Sequence, residues 1–139
     1  MPDEAIGSIE ADVCFRDDPF NAKSDLVDGA IGELSGFHHT FGIYAQGVSV
    51  ETAVLAPGWQ HRLVVLDTPG SKPGRGLCPE RHDLVASKLA AGREKDLEFA
   101  AALLREHIVD PGTLRERVTA LPLAESSRRR VMTWISARV

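Results

Sequence analysis

Apolar and polar residues alternate over "SIEADVCF", residues 8 to 15. Ile9, Ala11, Val13 and Phe15 fall on one side and Ser8, Glu10, Asp12 and Cys14 on the other, the period of a strand with one apolar face. In "NAKSDLVDGAIGEL" the period changes: Leu26, Ala30 and Leu34 are four apart with Ile31 beside them, which predicts an amphipathic helix ending near Ser35-Gly36. "TFGIYAQGVSVETAVL" alternates again and predicts two strands joined at Gln46-Gly47, a hairpin break. The apolar run Leu63 to Leu66 in "HRLVVLDT" suits a strand buried on both faces.

Beyond residue 80 the pattern is helical, with helices expected near 80–91, 94–108, 111–120 and 123–137. Pro111 and Pro122 fit first turns, where a missing N–H costs nothing. Val131, Trp134, Ile135 and Leu123 make the last helix amphipathic. Between the halves, "PGSKPGRGLCP" at 69–79 holds three prolines and three glycines and reads as the main internal boundary. It has neither Walker nor GxGxxG spacing, so a phosphate loop is the weaker reading of it. The fold class expected is mixed α/β of the α+β type: a small mixed or antiparallel sheet of about four strands with one packed helix, then a helical bundle. A chain of 139 residues is expected to form a single domain, 1–139, with a sheet-rich half at 1–68 and a helical half at 80–139.

Composition narrows the partners. A formal net charge of −4 gives no polyelectrolyte signature. The run Arg128, Arg129, Arg130 reads as a solvated helix face. Cys14 and Cys78 are too few for a disulfide framework and lack metal spacing; Cys14, in an apolar run, reads as a core residue. His38-His39, His61, His82 and His107 show no ligand motif, and Trp59 reads as packing. No basic leader or membrane span is evident, so a cytoplasmic protein without membrane contact is expected.

The candidate chemistry begins with Glu10 and Asp12. Two apart on a strand, they project from one face with Cβ atoms roughly 6 to 7 Å apart. Such a pair suits Mg²⁺, which takes one or two protein oxygens and fills its shell with phosphate and water; a solvated sheet edge is the other reading. Glu51 alternates out of phase with Val48, Val50 and Val54 and would add a third carboxylate if its strand lay beside the first. In "SKLAAGREKD" an unbroken helix would place Asp96 in an apolar seam. Asp96 is therefore either paired or next to a break at Gly92. Lys88 is placed to reach a triphosphate, assisted by Arg93 and Lys95; the other reading has Lys88 snorkelling and Asp96 bonding Arg93 or capping a helix.

"SIEADV", "VSVETAVLAPGWQHRLVVL" and "HDLVASKLAAGREKDLEF" together resemble the small nucleotidyltransferase-like proteins of bacteria, related to abortive-infection and toxin-type nucleotidyltransferases. The resemblance spans roughly residues 7–121, and "DLVASKLAAGREKD" is its most specific part. It implies Glu10 and Asp12 as metal ligands with Glu51 as a third, Lys88 as a triphosphate contact and Asp96 as an orienting or base-like group. Mg²⁺ would be the cofactor, a nucleoside triphosphate the donor, and an RNA or a protein the acceptor. The sequence departs from that pattern in lacking the Gly-Ser motif upstream of the carboxylate strand, since Gly7-Ser8 abuts the strand itself. The sheet edge left open by that loss leads to an expectation of homodimerisation. The alternative is a truncated or noncatalytic binding or regulatory module of the same fold; a metal-dependent nuclease ranks third, since Glu51-Thr52-Ala53 lacks the lysine that such a core wants.

Overall fold

The computed structural model describes residues 7–139 and is mixed α+β. Residues 1–6, read above as free of an export leader, lie outside the described residues. The described chain divides after Ala53 into two compact units.

In the unit of residues 7–53, strand β1 (Glu10–Val13) pairs in parallel with β2 (Tyr44–Gly47), Glu10 opposite Tyr44 and Asp12 opposite Gln46. Helices α1 (Ala22–Ile31) and α2 (Gly36–Phe41) make the crossover that parallel strands need. Helix α1 starts where the Asp18 carboxylate accepts the Lys23 and Ser24 N–H groups, each at 2.9 Å, serving donors that the first turn leaves unsatisfied. Helix α2 starts at Ser35, whose hydroxyl accepts the His38 N–H, and ends at Gly42 with φ +70°.

Gly47 decides the topology. A Cβ there would lie 2.2 Å from the Ser24 carbonyl oxygen, so α1 crosses the strand backbone-to-backbone, and Asp28 Oδ1 accepts the Gly47 N–H at 2.6 Å. The glycine serves close approach, not reversal. The expected hairpin at Gln46-Gly47 is therefore absent: β2 runs parallel to β1, and residues 48–54 form no second strand. Ser49 instead caps a single 3₁₀ turn, Val50–Thr52. The first strand is also shorter than the alternation of 8–15, and Phe41 lies in α2, which the alternating pattern had concealed.

The unit of residues 54–139 opens with a 3₁₀ turn, Trp59–His61, and an antiparallel pair, β3 (Val64–Leu66) with β4 (Gly76–Cys78). All three β3 residues are exposed, contrary to the expected burial on both faces, because the two-stranded ribbon has no covering layer over them. Strand β4 and the 3₁₀ turn Pro69–Ser71 occupy the segment expected to be loop. The described residues hold four strands, as many as expected, but in two separate pairs and not one sheet, with β4 in place of the strand expected over 48–54.

Four helices follow close to their expected places: α3 (Arg81–Ala91), α4 (Glu94–Arg105), α5 (Pro111–Ala120) and α6 (Glu125–Ser136). Their apolar stripes meet in one core that includes Val85, Leu89, Leu103, Leu114, Val118 and Ile135. Each large aliphatic chain buried there contributes about 1.5–3 kcal/mol of transfer free energy. Pro111 is in the first turn of α5, behind an Asp110 cap that accepts the Thr113 N–H at 2.7 Å. Pro122 lies in the connection before α6, which starts two residues later than expected. No helix among the described residues is long and apolar enough to cross a membrane.

Candidate functional site

The two residue sets singled out by sequence fall in different compact units: Glu10, Asp12 and Glu51 in residues 7–53, and Lys88, Arg93, Lys95 and Asp96 in residues 54–139.

In the first unit, strand alternation and register put Glu10, Asp12, Tyr44 and Gln46 on one face of the β1–β2 pair, opposite the face where α1 meets Gly47. Asp12 is exposed and Glu10 half-buried. Tyr44 stands directly opposite Glu10 in the strand register. Partial desolvation, followed by the negative charges of Glu10, Glu33 and Asp12, pushes the Tyr44 phenol above its ordinary value. His38 closes one side: its ring lies 4.7 Å from that of Tyr44, and its Nδ1 accepts the Leu34 N–H. The face carries two carboxylates and a phenol, all hard oxygen donors. Glu51 stands apart from this strand pattern, exposed on the 3₁₀ turn. Among the described residues no group of three or more His, Cys, Asp or Glu is arranged to hold a metal ion.

In the second unit, α3 ends at Gly92 in the left-handed region, φ +68°, and α4 begins two residues on. Both possibilities left by the sequence hold: the helix is broken and Asp96 is paired. Asp96 is 1% exposed; Arg93 Nε donates to its Oδ2 at 2.7 Å and Lys88 Nζ to its Oδ1 at 3.4 Å. Burial pushes the Asp96 carboxyl up, but the Arg93 hydrogen bond and the charges of Lys88 and Arg93 outweigh it and hold the group below the ordinary carboxylate range. A carboxylate so paired is a poor base and a good anchor. It fixes Lys88, whose ammonium also lies 5.4 Å from the centre of the Phe99 ring, while 31% of the lysine side chain stays open to solvent. Arg93 is more exposed still, and Lys95 is exposed on the first turn of α4.

Two buried polar clusters escaped the sequence reading. Asp83, 1% exposed, takes Arg62 Nε at 2.7 Å and Nη2 at 2.9 Å and has Arg117 Nε 3.4 Å away; Arg62 also reaches the Ala56 and Pro57 carbonyls. His82 bridges Glu80, at 2.7 Å from Nδ1, and the Asp110 N–H, which donates to Nε2 at 3.0 Å, so the ring proton resides on Nδ1. These partners are 21 and 28 residues apart, beyond any local signal; only an aspartate and a histidine amid an apolar helical stripe hinted at them. Cys14, expected in the core, is exposed because β1 ends at Val13, and Cys78 is exposed as well.

No protein-family model, curated protein or solved structure matches the chain.

Proposed function

We propose that this protein is nucleotidyltransferase-like and handles a metal-bound nucleoside triphosphate, moving its nucleotidyl group to an RNA or protein acceptor. The observation that carries this reading is the Gly92 corner, where one buried carboxylate, Asp96, holds two partly exposed cations, Lys88 and Arg93. Lys88, held in one geometry with 31% of its side chain open to solvent, is the cation placed to meet an anionic phosphate. Asp96 acts as a positioning residue, in keeping with the orienting half of the role that the resemblance implies. On the acidic face of the other compact unit, Glu10 and Asp12 would hold the metal. Mg²⁺, when bound, supplies charge neutralisation at the transferring phosphate. In the reaction the acceptor hydroxyl oxygen forms a bond to the α-phosphorus and its proton passes to solvent, while the bond from that phosphorus to the bridging oxygen of the β-phosphate breaks and pyrophosphate leaves.

The experiment is transfer of label from an α-labelled nucleoside triphosphate in the presence of Mg²⁺. Transfer that Asp12→Ala and Lys88→Ala each abolish supports the reading; equal labelling by the parent and both variants excludes it. A second reading, a noncatalytic module that keeps the scaffold alone, is favoured by the closed pairing of Asp96. It predicts a folded protein that neither transfers label nor gains stability from Mg²⁺ and nucleotide.

A further inference from the structure

The charge of the chain is unevenly placed: residues 7–53 carry 2 Lys/Arg against 8 Asp/Glu, whereas residues 54–139 carry 14 against 10. Within the basic unit, α4 and α6 border a groove of about 430 Å³ that starts at Gly92. One wall holds Glu94, Leu97, Glu98 and Ala101, one face of α4 at helical spacing. The facing wall holds Trp134 and Arg138, with the Arg138 guanidinium 3.9 Å above the indole ring. Arg130, one helical turn before Trp134, reaches the same end: its Nη2 lies 3.7 Å from where a Gly92 Cβ would be. Its neighbours point elsewhere. Arg128 is tied to the Leu121 and Leu123 carbonyls and to Glu125, and Arg129 is 77% exposed beside Glu125.

We propose that the stripe Arg130–Trp134–Arg138 is a docking site for single-stranded RNA, which deepens the reading above by making RNA the acceptor class and rests on it for the choice of RNA. The physical argument is complementarity. A flat surface of indole and guanidinium stacks a nucleobase whatever its sequence, and cations at either end of it take the flanking phosphates. The opposite wall adds selectivity. Glu94 and Glu98 are acceptors only, so they favour a base that presents an amino donor, such as cytosine N4, and disfavour uracil, which presents a carbonyl there.

The test is anisotropy of fluorescently labelled oligocytidylate and oligouridylate RNA on the full chain, without nucleotide or Mg²⁺, so that failure of transfer chemistry cannot mask the result. Oligocytidylate is expected to bind more tightly than oligouridylate. Arg130→Ala and Arg138→Ala should each weaken binding roughly tenfold, the loss of one charge-assisted contact. Each should also shallow the logarithmic salt dependence by about 0.7 per lost phosphate contact. Arg129→Ala should leave affinity within twofold of the parent, an order-of-magnitude expectation for a charge off the stripe. Quenching of the indole, read in a Trp59→Phe background, should accompany binding. Equal weakening by Arg129→Ala, equal affinity for oligouridylate, tighter binding of oligodeoxycytidylate, or no binding at low salt would each overturn the proposal. RNA binding that follows the stripe while label transfer fails sustains this inference and sinks the enzymatic reading, so the two are separable.

Discussion

Arg62 grips Asp83 through two parallel hydrogen bonds, Nε to Oδ2 at 2.7 Å and Nη2 to Oδ1 at 2.9 Å, with the carboxylate 1% exposed and the arginine side chain 25% exposed. This pair fastens the segment after Ala53 to the first turn of α3, since the same guanidinium holds the Ala56 and Pro57 carbonyls. Removing Arg62 leaves the buried Asp83 carboxylate with Arg117 alone, 3.4 Å away and without the bidentate bonds. Arg62→Ala is expected to destabilise the unit by about 3–5 kcal/mol, measured by urea denaturation. Arg62→Lys should recover little, because an ammonium cannot match the bidentate geometry.

Asp96 gives a milder effect with a pH signature. Lys88 and Arg93 reach water when the carboxylate is lost, so Asp96→Asn should cost about 1–3 kcal/mol. Its folded-state pKa lies below the unfolded value, so its contribution is complete above about pH 4 and disappears as pH falls through the folded value. Urea midpoints for the parent should therefore fall toward those of Asp96→Asn as the solution is acidified below that point. A gap that persists unchanged at the acid end would refute the ion-pair account.

Tyr44 is the chain's single tyrosine, so its titration is read directly from phenolate absorbance. Desolvation and then the Glu10, Glu33 and Asp12 charges place it above its usual value of about 10. Glu10→Gln should lower it more than Asp12→Asn, because Glu10 is the strongest of the charges acting on the phenol and Asp12 the weakest. Identical midpoints in both variants and the parent would separate Tyr44 from the acidic face.

Gly47 and Gly92 separate two uses of glycine. Gly47→Ala places a methyl against the Ser24 carbonyl and should displace α1 from β2, seen as loss of hydrogen-exchange protection at Tyr44 and Val48. Gly92→Ala meets ordinary contacts but keeps φ at +68°, and should cost about 1 kcal/mol without moving either helix.

Binding of nucleotide itself is checked by thermal shift. With Mg²⁺ and nucleoside triphosphate at a hundredfold excess over Kd, stabilisation of about 2.7 kcal/mol is expected, reduced in Lys88→Ala.

Legibility followed the range of the interactions. The four helices of the second unit were readable because apolar spacing and the position of Pro111 are local signals. The alternation of Glu10 and Asp12 was likewise legible, as was the pairing of Asp96 with Arg93 three residues away. The hairpin expectation failed because a glycine after alternating residues reads as a turn, whereas Gly47 is demanded by a helix more than twenty residues upstream. Strand β3 misled for a related reason: an apolar run specifies burial only where covering layers exist, and that depends on the whole chain. Glu51 went with it, since its phase meant something only on a strand.

The exposed thiols have a practical consequence. Cys14 and Cys78 are the chain's two cysteines, and one belongs to each compact unit. The unaltered sequence thus carries one attachment point for a nitroxide probe in each unit, and the mobility of each tag reports separately on the unit that bears it.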